Sequence, residues 1–280
     1  MKKLNLMTLN DNTPANPDVS AEWGLSILVE ADNFKILFDA GYNSSSAKNA
    51  DVLGVELGEI NKIFLSHGHR DHAGGLRQVL RRMKKKVEII AHPNIWGEVK
   101  YRHLEGRNIY VGMPFQRQEL EGLGAIFNLT TKPVKITDDI MTSGEIPMVT
   151  DFEKVDPGLL VKGDTGWQPD QLLDEQALII NTQLGLVVIT GCAHRGIINT
   201  LYHAQQVTGV KVINTVVGGF HLLFSSKENI KLTIKALKEL GVQRLGISHC
   251  TGFLATMLMA QEFGDKFFLN NGGTSIKLID

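Results

Sequence analysis

The chain of 280 residues is long enough for one large domain or two fused halves. A hydrophobic share of 43% and a charged share of 21% are those of a packed globular protein and exclude a disordered one. A formal net charge of −1 supplies no global field toward nucleic acid or an anionic membrane, so neither is expected as a partner. The two cysteines, Cys192 and Cys250, are too few for a disulfide scaffold or a four-cysteine zinc site, and they fit a reducing compartment. Met1 to Leu9 lacks the apolar core of a secretory signal, and no run of about 18 apolar residues occurs. The expectation is a cytoplasmic protein.

In chain order, Leu4 to Leu9 reads as a strand, followed by a polar loop from Asp11 to Asp18. Leu25 to Val29 and Phe34 to Phe38 read as a hairpin turning at Asp32-Asn33. A helix over Ser45 to Leu53, a buried strand over Ile60 to Leu65, a helix over Gly75 to Lys86 and a strand over Val87 to Ala91 follow. From about 93 to 174 only short apolar runs occur, such as Val134 to Ile136, Ile146 to Val149 and Leu159 to Val161. This region reads as a loop-rich insertion in a single domain spanning 1–280, and long loops commonly bind ligands. Gly163 to Gly166 reads as a turn.

Regular patterning returns with a hairpin over Ala177 to Ile180 and Leu186 to Ile189, a loop over Thr190 to His194 and a helix over Arg195 to Val207. A strand over Val210 to Val217 leads to Gly218-Gly219-Phe220-His221. Ser226 to Leu240 has apolar residues at helical spacing, with Gly241 as its stop. A strand over Arg244 to Ser248 leads to His249, a helix covers Phe253 to Phe263, and strands close the chain near Phe267 and over Ser275 to Ile279. The hairpins at 25–38 and 177–189 are each followed by a helix and an apolar strand ending near a histidine. Two related halves, each a sheet with outer helices, point to an α/β protein of four-layer αββα sandwich type.

The densest chemistry lies in Ser66-His67-Gly68-His69-Arg70-Asp71-His72-Ala73-Gly74-Gly75. Three imidazoles and a carboxylate within six positions are good ligands for zinc, iron or manganese. An accidental surface cluster is the alternative, but nine histidines in 280 residues rarely gather so closely. The i, i+2 spacing lets His67 and His69 aim at one ion while Asp71 and His72 turn toward a second.

This stretch matches an HxHxDH signature, and the chain resembles the metallo-β-lactamase superfamily over most of its length. The resemblance implies that superfamily's αββα fold with metals along one sheet edge. It places Asp39, in Leu-Phe-Asp-Ala-Gly, as a brace behind the metal-loop histidines, and His194 and His249 as later ligands. The implied set is His67, His69 and His194 at one ion, and Asp71, His72 and His249 at the other. Many relatives carry Gly-Asp where this chain has Gly191-Cys192, which leaves Cys192 as a thiolate ligand or a buried bystander. His221 ends a strand and is a ligand, a substrate contact or a bracing donor. Two divalent ions are implied, zinc foremost, with iron, manganese or single-metal occupancy open.

The runs Thr190 to Thr200, Gly218 to Leu222 and Ser248 to Gly252 resemble a branch labelled dihydropterin ribofuranosylaminobenzene phosphate synthase-like. The expected activity is hydrolysis of an ester, amide or phosphoester-type bond of a small molecule, with Asp71 as catalytic proton acceptor. Alternatives are a synthase-like transferase acting on a phosphorylated substrate and a non-catalytic metal-binding protein. The basic run Arg77 to Lys86 reads as a solvated helix end in preference to a phosphate- or nucleic-acid-binding patch. His92 reads as structural, and His103 and His203 as surface residues. Trp96, Trp167 and Phe220 read equally as packing residues or pocket lining.

Overall fold

The structure is a computed structural model that describes residues 1–97, 100–163 and 166–279. The chain divides into two compact units, one comprising 1–130, 157–170 and 271–280, the other 131–156 and 171–270.

The first unit is built on a seven-stranded sheet in the order 275–279, 4–10, 26–31, 34–38, 62–64, 87–91, 125–129. The first four strands pair antiparallel and the last four parallel. The hairpin turns at Asp32, which takes a left-handed φ of 51°, a conformation that Asp tolerates. Leu28, Leu37, Ile63 and Ile89 share a core with the helices Ser45–Val52 and Leu76–Met83. Leu76, Val79, Leu80 and Met83 supply the second helix's apolar stripe. The alternate strand residues Ile27, Val29, Ile36, Phe38, Phe64 and Ile90 are buried as well. That explains why these strands read as continuous apolar runs.

The helix expected to reach Lys86 ends at Met83, where Lys84 turns left-handed at φ 50°. Two of its cations are engaged in ion pairs, Arg77 with Glu119 and Arg82 with Asp51.

The second unit carries a six-stranded sheet in the order 267–269, 244–247, 213–218, 185–190, 177–182, 140–142. Its pattern repeats that of the first unit. The antiparallel hairpin 177–190 leads into parallel strands, as the hairpin 26–38 does. The helices Ile197–Thr208, Lys227–Glu239 and Phe253–Phe263 pack on it through Ile198, Leu201, Ile230, Leu237 and Met259. Ser226 caps the middle helix, its hydroxyl accepting from Asn229 N at 3.2 Å.

The region 93–174 is more regular than a loop-rich insertion. Lys100–Leu104, Arg107–Tyr110, Leu159–Gly163 and Gly166–Pro169 form a four-stranded antiparallel sheet in the first unit. Arg117–Gly122 is helical, Ala125–Leu129 extends the seven-stranded sheet, and Ile140–Thr142 edges the six-stranded one. These strands escape the apolar pattern because Arg107–Tyr110 and Gly166–Pro169 are exposed throughout. Another central residue is a charge, Lys100, buried 3.2 Å from Asp170. Of the expected short runs, Leu159 to Val161 is strand, whereas 134–136 and 146–149 are not. Within the expected turn at Gly163 to Gly166, positions 164 and 165 lie outside the described residues.

Candidate metal centre

In the first unit the HxHxDH segment leaves the strand Lys62–Phe64 at its C-terminal end, the edge where open α/β sheets hold ligands. His69 is in extended backbone, and Arg70–Ala73 forms one helical turn that carries Asp71 and His72. Ala73 N bonds to His69 O at 3.0 Å, and Arg70 N bonds to Val111 O at 2.7 Å. Two glycines allow the close passage of this loop. A β-carbon on Gly74 would stand 1.9 Å from Tyr42 O, and one on Gly75 would stand 1.9 Å from Ala40 O. Both contacts are with backbone and cannot be relieved by a side-chain rotation.

Asp39 organises the cluster. It follows the strand Phe34–Phe38, is fully buried, and holds a left-handed φ of 55°. Its Oδ1 accepts from Ser66 N at 2.7 Å, while Oδ2 meets Ser66 Oγ at 2.7 Å and His72 Nδ1 at 2.7 Å. A carboxylate only accepts, so Ser66 Oγ and His72 Nδ1 both donate to it. With its proton so directed, Ser66 Oγ accepts from His67 Nδ1 at 2.9 Å. His67 and His72 therefore both present a lone pair at Nε2, the tautomer a metal requires. The His67 ring centre lies 4.5 Å from that of His69 and 4.3 Å from that of His72. Asp71 is partly exposed; its Oδ2 accepts from Trp23 Nε1 at 3.1 Å and stands 3.9 Å from His72 Nε2.

In the second unit the donors again follow strand ends. Cys192 and His194 follow Gly185–Thr190, His221 follows Ile213–Gly218, and His249 and Cys250 follow Arg244–Ile247. Cys192, His194, His249 and Cys250 are buried and His221 nearly so. Ala193, His221 and His249 hold left-handed φ values of 55°, 46° and 53°. Such strain at successive strand ends is typical of functional loops. Glu175 fixes the first loop, accepting from Ala193 N at 3.2 Å and His194 N at 3.1 Å. The rings of His194 and His221 are 4.1 Å apart. His221 Nε2 lies 3.5 Å from Asp156 Oδ2. Burial opposes charge on His221, but Asp156 and Cys250 outweigh it and raise its pKa to about 9. Burial pushes the Cys250 thiol up, yet Cys192, His249 and His221 pull it well below its usual value.

The structure thus gathers Asp39, His67, His69, Asp71 and His72 in one unit and Cys192, His194, His221 and His249 in the other. The donor set fits a divalent transition metal, with imidazole nitrogens directed by hydrogen bonds and a carboxylate or thiolate beside them. His92 is buried, its Nδ1 accepting from Asn94 N at 3.1 Å. His103 is exposed. His203 is not a plain surface residue, since it is half-buried with Nε2 at 2.9 Å from Ser143 O. Trp96 and Phe220 pack into the cores, and Trp167 is exposed beside Tyr101. Sequence reasoning missed Ser66, Trp23, Asp156, Glu175 and the role of Cys250. Of these only Ser66, adjoining the motif, carries a local signal.

Residues 24–249 match the family model described as the metallo-beta-lactamase superfamily. A 7,8-dihydropterin-6-methyl-4-(beta-D-ribofuranosyl)-aminobenzene-5'-phosphate synthase of Methanocaldococcus jannaschii is 35% identical over 267 residues, covering 92% of this chain and 90% of that protein. An uncharacterized protein of the same organism is 32% identical over 258 residues, covering 90% and 93%. The crystal structure of Tm1679, described as a metal-dependent hydrolase of the beta-lactamase superfamily, superposes with a TM-score of 0.84 at 32% identity, over 99% of this chain and 100% of that one. The motif, the strand-end placement of its donors and these likenesses agree, and the chain belongs to the metallo-β-lactamase superfamily and has its α/β fold.

Proposed function

We propose that the chain is a metal-dependent hydrolase in which the two units act as one domain, 1–280, around a centre for two divalent ions, zinc foremost. His67, His69 and His194 hold one ion, and Asp71, His72 and His249 hold the other. The observation that carries the reading is the buried Asp39–Ser66–His67 and Asp39–His72 relay, which directs two imidazole lone pairs outward from one loop. A divalent ion bound there lowers the pKa of water toward neutrality and polarises a carbonyl or phosphoryl oxygen.

The chain's residues do the rest. Asp71, held by Trp23 and partly open to solvent, orients the attacking water and accepts its proton. His221, backed by Asp156, offers a donor to an anionic substrate oxygen. The substrate class is a small molecule with an ester, amide, thioester or phosphoester bond.

Replacing both His67 and His69 with Ala is expected to abolish hydrolysis of generic esters and phosphodiesters. Asp71→Asn is expected to lower it by roughly 10²- to 10⁴-fold. Undiminished turnover in the double variant would overturn the assignment. A synthase-like transfer on a phosphorylated aromatic substrate is the second reading, favoured by the 35% identity to the M. jannaschii enzyme. It predicts turnover of that enzyme's substrates by a wild-type protein inert toward simple esters.

A further inference from the structure

The four-stranded sheet of the first unit carries aromatic rings on a face where solvent-facing strands ordinarily carry polar side chains. Tyr101 pairs with Tyr110 across adjacent strands, Leu160 pairs with Tyr101, and Trp167 stands opposite Lys162. Side-chain alternation therefore sets Tyr101, Tyr110, Leu160, Lys162 and Trp167 on one face and the buried Lys100 and Leu159 on the other. The Tyr101 ring centre lies 5.5 Å from that of Tyr110 and 4.8 Å from that of Trp167, at interplanar angles of 70° and 79°. Trp167 comes from two strands away, so its indole crosses the strand Leu159–Gly163 to complete the row. Tyr110 and Trp167 nonetheless remain 41% and 45% exposed. We propose that this row is a stacking platform that holds a planar aromatic ring of the substrate.

Position and geometry favour that occupant. The strand Arg107–Tyr110 runs directly into Val111, whose carbonyl accepts from Arg70 N at 2.7 Å, so the row is tied to the loop that carries His69 and Asp71. The Tyr110 ring is held in place, its hydroxyl donating to Met113 O at 2.7 Å, and a β-carbon on Gly112 would stand 3.1 Å from its Cζ. The near-perpendicular angles leave neither Tyr110 nor Trp167 stacked face to face on Tyr101. A further ring can join by the offset or edge-to-face contacts that aromatic pairs prefer. Cross-strand pairing for sheet stability would account for Tyr101 and Tyr110, but not for an exposed indole reaching over an intervening strand. A nucleic-acid strand would need a row of cations, and among the described strand residues of this face only Lys162 carries a fixed positive charge.

The inference rests on the proposed function in taking the ring to be part of that centre's substrate. The probes are naphthylphosphonate and its saturated decahydronaphthyl counterpart, which carry equal charge and resist hydrolysis, titrated by calorimetry into the metal-loaded protein. The planar probe should bind roughly 3- to 10-fold more tightly. Trp167→Leu and Tyr101→Leu should each bring that preference toward unity with little change for the saturated probe, and Trp167→Phe should keep most of it. Equal affinities in the wild type, or an undiminished preference in either leucine variant, would overturn the platform. So would a wild-type dimer that Trp167→Leu converts to a monomer, since a second copy would then cover the face. The ratio of the two affinities needs no turnover, whereas failure of the hydrolytic reading shows as undiminished ester turnover when His67 and His69 are both Ala.

Discussion

Asp39 sets the proton positions of three neighbours at once. Its two oxygens take the Ser66 amide, the Ser66 hydroxyl and the His72 ring, and through the serine they fix His67 as well. Asp39→Asn would supply an amide hydrogen where only acceptors are wanted, and would return the His72 tautomer to chance. Outer partners of this kind contribute about 10- to 100-fold to metal affinity. The variant should lose divalent metal to a competing chelator by that factor while keeping its fold by circular dichroism; unaltered affinity would remove Asp39 from the account. At this scale the candidate site was partly legible. His67, His69, Asp71 and His72 stand together in the sequence, and Asp39 follows an apolar strand. Asp156, Glu175 and Cys250 were hidden because each acts on a residue 18 to 65 positions away, or beside one whose own role was unplaced.

The elements explain why the donors sit where they do. In each unit an antiparallel hairpin delivers a strand, 34–38 or 185–190, to which later strands add in parallel. Parallel strands align their C-terminal ends, so residues just past them gather on one edge. Asp39, His67 and His92 occupy successive ends in the first unit, as Cys192, His221 and His249 do in the second. The strand and helix core of both units was readable because its apolar runs and helical stripes follow burial directly. The four-stranded sheet was not, since Arg107–Tyr110 and Gly166–Pro169 are exposed and Lys100 is buried. That lysine makes a prediction. Lys100 and Asp170 are each 1% exposed, and Asp170→Ala would remove a carboxylate from beside a buried ammonium. The loss should be about 3–5 kcal/mol in urea unfolding, with the double variant Lys100→Met, Asp170→Leu costing much less. A cost within about 0.5 kcal/mol for the single change would mean the pair is solvated.

At the scale of the whole molecule, two units of matching topology each carry a set of metal-type donors at their strand ends, and family membership ties the chain to metal chemistry. Among the described residues no helix is long and apolar enough to cross a membrane. Net charge of −1 likewise gives a basic partner or an acidic one no general advantage. Function therefore rests on the site and not on the surface field. The most direct test is elemental analysis of protein purified without added metal, comparing the wild type with the variant in which His67 and His69 are both Ala. The wild type should carry divalent metal, and the variant should contain less by at least about one equivalent. Equal metal content in the two proteins would contradict the account.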